Sequence, residues 1–245
     1  MAGQARDEGG MSVILVFLTV VIGFSFWWLF HQKVMEKPWL EHGVHTALPE
    51  TDVSGMPTAK VALAVFLAVV GSLFALFASA YFMRMDYADW QAPPLPRILW
   101  VNTVILILAS IALSCAVRAA REHRREMTRL ALVTAGLATF VFLAGQVTAW
   151  RELAAGGHYL DVNPANGFFY LMTGVHGLHI LGGLVALGRT MVKAWDDDVA
   201  AEQLRLGVEL CAAYWHFLLF VWLGVFVLLA GWAGDLLALC RQILT

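Results

Sequence analysis

Six long stretches of this chain contain no Lys, Arg, Asp or Glu. They are residues 9–32, 61–83, 98–117, 130–150, 162–188 and 210–234, each 20–27 residues long. A bilayer core needs about 20 consecutive apolar residues per helix. Each run is therefore a candidate span that can satisfy its own backbone in lipid. Composition agrees: 60% of the residues are hydrophobic and only 14% charged. One water-soluble core of this size cannot hide that much apolar surface. The formal charge of −2 gives no footprint for nucleic acid. The expected fold is all-α, an integral membrane bundle of six transmembrane helices. Residues 1–59 are read as an extra N-terminal span (about 12–31) with a polar loop broken by Pro38, Pro49 and Pro57, and residues 60–245 as a five-helix bundle. The first run ends in Phe26-Trp27-Trp28-Leu29-Phe30, not in small residues, so it reads as a retained helix and not a cleaved leader.

Lys and Arg set the orientation. The connection between the third and fourth runs holds Arg118, Arg121, Arg124, Arg125 and Arg129. Placing it inside puts eleven cationic residues on the inner face and five on the outer, with both termini outside. The loops are too short to hold a folded catalytic domain, so chemistry belongs in the bundle or in a partner. Trp39, Trp90, Trp100, Trp150, Trp195 and Trp232 lie near span ends and read as interfacial anchors. Cys115, Cys211 and Cys240 form no paired framework and read as packing residues.

Two spans carry ionisable groups. His176 and His179 are three residues apart, on nearly one helical face, with Gly183 following on that stripe. The small residue allows a neighbouring helix to come close. In the last span Glu209 and His216 are seven apart, again near one face. A polar seam joining His176, His179, Glu209 and His216 across the last two spans is the expectation. Three uses of such a seam are open: a haem or metal site, a proton path, or a hydrogen-bonded joint between helices. Replacing His176 or His216 with Leu is expected to weaken folding or assembly, as thermal unfolding in detergent would show.

The same residues carry a family resemblance. Gly167-Phe168-Phe169, then Thr173-Gly174-Val175-His176-Gly177-Leu178-His179 and Gly182 or Gly183, resembles the "FF…TGxHGxHV…G" helix of subunit III of the haem-copper oxidases. Glu209 followed by Tyr214-Trp215-His216-Phe217 and Trp222 is similar to that family's "E…YWHF…W" helix. Shorter echoes are Phe66-Leu67 through Ser79-Ala80-Tyr81-Phe82, Leu99-Trp100-Val101-Asn102-Thr103, and Phe142-Leu143 with Gln146 and Trp150. The resemblance covers about residues 60–235. It implies a helical subunit with no redox centre, haem or copper of its own, in a bacterial cytoplasmic membrane. Haem and copper would lie in partner subunits, the catalytic subunit I and subunit II. It also implies bound phospholipid between helices, and support of a complex coupling oxygen reduction to proton translocation. His176, His179, Gly183, Glu209, Tyr214, Trp215 and His216 are the expected packing and assembly residues. Arg84, Arg97 and Trp100 are candidates for lipid headgroups at the outer interface.

The chain departs from the pattern at three membrane positions. Val70, Ala149 and Leu219 stand where many members have acids. That favours a scaffold over a proton conductor. It also leaves room for a subunit-III-like partner of a nitric oxide reductase. A stand-alone b-type cytochrome is a further alternative.

Overall fold

The computed structural model describes residues 58–85 and 87–231. All belong to one compact unit, Met56–Thr245. The expected first span, Trp39, Trp232 and Cys240 lie outside the described residues. Five helices are present among the described residues: α1 Thr58–Met85, α2 Ile98–Arg121, α3 Arg125–Ala155, α4 Pro164–Trp195 and α5 Ala201–Leu229. They are 24 to 32 residues long. At about 1.5 Å per residue, even the shortest exceeds the ~30 Å hydrocarbon core. Of the six expected spans, five are found as helices of membrane-spanning length and composition among the described residues, and the first lies outside them.

Helices α2, α3, α4 and α5 close into a ring in which each packs on its two neighbours. α1 lies outside the ring against α5 and α4. The pattern of burial is that of a lipid-bathed bundle. Leu178 is 66% exposed and Phe220 75%, whereas Asn102, Gln146, Thr139, Thr173 and His176 are buried. Large apolar side chains face outward because the surrounding acyl chains are as apolar as they are. Hydrogen-bonding groups turn inward because only protein can satisfy them. α1 has just Val70, Phe74 and Tyr81 buried, consistent with its peripheral place.

The helix ends follow local chemistry. Asn163 caps α4 by accepting from the Ala165 amide at 3.0 Å, and Pro164 follows where no donor is needed. α3 closes in a Schellman turn: Gly157 has φ 81°, its amide bonds the Ala154 carbonyl, and that of His158 bonds the Leu153 carbonyl. α2 ends in the same way, but His123 holds the left-handed position at φ 57°. The amides of His123 and Arg124 bond the Ala120 and Ala119 carbonyls. A side chain there is strained where glycine is not. His123→Gly is expected to raise stability by about 1 kcal/mol, read as a higher midpoint of thermal unfolding in detergent.

Candidate functional site: the polar interior of the helix ring

Three indoles join the ring by one repeated device. Trp222 Nε1 of α5 donates to Thr103 Oγ1 of α2 at 2.9 Å. Trp215 Nε1 of α5 donates to Thr139 Oγ1 of α3 at 3.2 Å. Trp150 Nε1 of α3 donates to Thr173 Oγ1 of α4 at 3.0 Å. Each hydroxyl in turn donates to the carbonyl one turn back, Leu99, Ala135 and Phe169 respectively. The threonine proton is thus spent inside its own helix, and its lone pair faces the neighbour. A fourth link pairs Cys211 Sγ with Thr190 Oγ1 at 3.3 Å, while Thr190 donates to the Ala186 carbonyl. Among these residues the sequence reading singled out Trp215 and Cys211 as packing residues. Trp150, expected as an interfacial anchor, is one of the three interior donors. Trp100 and Trp195 do remain largely exposed at helix ends.

The four ionisable residues expected in one seam are parted. His176 is fully buried, and its Nε2–H donates to the Leu218 carbonyl at 3.1 Å, across the α4–α5 contact. Its ring lies among Phe142, Phe74 and Trp222. His179 turns toward α1: its Nδ1–H donates to its own Val175 carbonyl, and its ring packs on Phe74. Its carbonyl accepts from Tyr214 at 2.8 Å.

His216 faces α2 instead, between Ser110 and Ser114. Ser114 donates to the Ser110 carbonyl, so the imidazole donates to Ser114 and accepts from Ser110. Glu209 also turns away from the α4 histidines. It bonds Lys60 of α1 at 2.9 Å, Arg121 of α2 at 3.0 Å and Arg205 of α5 at 3.2 Å. The reason is angular. Trp215, Leu218 and Trp222 form the interior stripe of α5, and His216 lies about 100° round from Trp215. Glu209 and His216 do share a face, as their spacing implied, but it meets α1 and α2.

At Gly183 the neighbouring helix α5 comes close. A Cβ there would come within 2.6 Å of Tyr214 Cε1 and 2.9 Å of Trp215 Cη2. The three positions that lack family acids are apolar in their surroundings too: Val70 and Ala149 are buried, and Leu219 packs against the main core.

At the end of the bundle opposite the α2–α3 turn, Arg84 pairs with Asp89 and lies over the Tyr87 ring. This holds the Asp89 carboxyl below its ordinary range, through the Arg84 hydrogen bond first. Arg97 is exposed at the start of α2, and Trp100 packs edge-on to Phe226. Arg84 lines a pocket with Tyr87, Leu160 and Phe168, and neither Arg97 nor Trp100 lines that pocket.

A second ionic cluster, not anticipated as a unit, closes the other end. Arg129 donates to the Ala194 carbonyl at 2.8 Å and pairs with Asp197 at 2.8 Å and Glu126. Arg125 bonds the Asp196 and Val199 carbonyls and Asp197. The α2–α3 arginines therefore grip the α4–α5 connection and cap the carbonyl end of α4.

A family model for cytochrome c oxidase subunit III matches residues 9–234. The chain belongs to the cytochrome c oxidase subunit III family. It is similar to cytochrome c oxidase subunit 3 of Thermostichus vulcanus, with 31% identity over 172 residues, 68% of this chain and 84% of that protein. It is similar to the probable cytochrome c oxidase subunit 3 of Mycobacterium tuberculosis, with 29% identity over 160 residues, 64% of this chain and 77% of that protein. A haem-copper oxidase subunit I+III of Aeropyrum pernix matches at 27% identity over 128 residues, 52% of this chain and 16% of that longer one. Membership makes this a multi-pass membrane component of a respiratory, proton-translocating oxidase.

Two substitutions test the joints. Thr139→Val removes the acceptor for Trp215 at nearly constant shape. It is expected to cost about 1 kcal/mol by thermal unfolding in detergent, with most of the loss absent when Trp215 is already Phe. Gly183→Ala is expected to cost about 1–3 kcal/mol by the same measure. Gly182→Ala, where a Cβ meets nothing within 4 Å, should be silent.

Proposed function

We infer that this chain is the non-catalytic subunit III, or a subunit-III-like component, of a bacterial haem-copper terminal oxidase. In this reading it sits in the cytoplasmic membrane with both termini on the outer face. It supports assembly, holds phospholipid and stabilises the subunits that carry haem and copper. The observation that carries the reading is where the interior donors go. His176, His179 and His216 spend their hydrogen bonds on different neighbours, and the three indoles join helices, two of them between ring neighbours and Trp215 across the ring from α5 to α3. Two histidines from facing helices that would clasp a haem are instead turned toward separate surfaces. The apolar residues at Val70, Ala149 and Leu219 support a scaffold rather than a proton conductor.

Phospholipid binding has a specific support. A groove of about 460 Å³ runs between α4 and α5 beside α1, lined by Phe66, Gly183, Ala186 and Tyr214, with Arg189 and Lys193 at one end. Small residues open the trough, and the two cations suit a phosphate. The Aeropyrum protein, whose name joins subunit I and subunit III in one chain, supports placement beside subunit I. Five arginines around the α2–α3 turn support the inner placement of that end.

Purification in mild detergent is the test. The chain is expected to travel with haem- and copper-containing subunits, and to show no Soret band once separated from them. Turnover of oxygen or of nitric oxide by that complex then tells the oxidase from the reductase. A Soret band in the separated chain, or a chain that purifies alone, would overturn the reading.

A further inference from the structure

α1 packs on α5 and α4 but does not contact α2. The two helices therefore stand apart over α5, and the space between them is a second groove, of about 510 Å³. Leu63 and Leu67 of α1 and Val117 of α2 line its walls. Lys60, Arg118, Arg121 and Glu209 line it at the end nearest the α2–α3 turn. His216 and Ser114 lie farther in and are already bonded to each other at 3.2 Å.

The charges here do not balance. Glu209 is shared by Lys60, Arg121 and Arg205, and of these only Arg205 has a second carboxylate, Glu202, among the described residues. Arg118 forms no ion pair with any described residue, yet it lines the same groove. An apolar trough capped by surplus positive charge has the two halves of an anionic amphiphile's complement. Acyl chain fits the Leu and Val walls, and phosphate fits the cationic rim. Basic pockets between transmembrane helices on the cytoplasmic side take anionic headgroups in this way. A zwitterionic lipid brings no net charge to meet the surplus.

We propose that the groove between α1 and α2, over α5, is a site for one anionic phospholipid of the cytoplasmic leaflet, selected by Lys60, Arg118 and Arg121. Glu209 holds Lys60 and Arg121 in place across the groove, and Arg118 supplies the uncompensated charge. The site is distinct from the groove between α4 and α5. It rests on the orientation and lipid-binding role inferred above.

The test uses the whole complex, stripped of lipid in detergent. It is then supplied with phosphatidylglycerol, phosphatidylcholine or inorganic phosphate, and bound lipid is counted by native mass spectrometry. Arg118→Gln is the informative variant, because no ion pair that joins helices depends on it. Arg189→Gln, in the other groove, is its control. Phosphatidylglycerol is expected to be retained in preference to phosphatidylcholine. Arg118→Gln should weaken its retention about fivefold, leaving phosphatidylcholine unchanged. Equal retention of both lipids would overturn the site. So would inorganic phosphate competing as well as the lipid, since that describes an adventitious anion. Lipid loss that follows Arg189→Gln but not Arg118→Gln would overturn this site and leave the general lipid-binding role standing. Loosened association with other subunits in Arg118→Gln, at constant lipid count, would give the groove to a protein partner and overturn it as well.

Discussion

Everything in this bundle depends on the cost of an unpaired polar group in hydrocarbon. Apolar contact gives two helices in lipid little reason to associate, because acyl chains offer the same contact. Hydrogen bonds and close packing must do it. The threonines at 103, 139 and 173 show how economically that is arranged. Each satisfies its own proton within one turn, so the hydroxyl oxygen becomes a fixed acceptor pointed at another helix. An indole then completes the joint without leaving a donor unspent. With Cys211 on Thr190, these links cover all four contacts of the ring except the one between α2 and α3. There Asn102 reaches toward Gln146, and the tight turn at His123 already holds the pair together.

The two ends of the bundle are built differently from its middle. Where the chain meets water, charge takes over. Arg125 and Arg129 fasten the α2–α3 turn to the start and end of the α4–α5 connection. Glu209 gathers cations from three helices. The same arginines whose number predicts an orientation also tie the folded bundle by their placement. α1, left outside the ring, is held by fewer such joints: Lys60 to Glu209 at one end and the Tyr81 hydroxyl to the Leu228 carbonyl at the other.

Much of this was legible from the residues and some was not. The five charge-free runs after residue 60 became the five described helices, because run length is set by bilayer thickness and hardly by packing. Gly183 could be read as a point of close approach because a missing side chain has one consequence on a helix face. The histidine seam could not be read correctly. A spacing of three or seven places residues near a common face but does not say which neighbour that face meets. His216 therefore met Ser110 and Ser114, not the α4 imidazoles. The indole–threonine joints were hidden for the same reason. Their members are 23, 76 and 119 residues apart, and nothing local announces a partner that distant. The Trp150 position near a span end pointed to the interface, and only its inward rotation made it a donor to Thr173.

The sequence by itself determined that the chain crosses a membrane, where its described helices lie and which family it resembles. Each of these follows from composition, charge spacing or local motif, quantities that one strand of residues carries without knowing its neighbours. Only the tertiary structure decided how α2 to α5 close into a ring, that α1 stays outside it, and that Glu209 and His216 face away from His176 and His179. Those facts depend on the rotation of each helix about its axis. That rotation is set by the sum of contacts from all sides, which no single helix encodes.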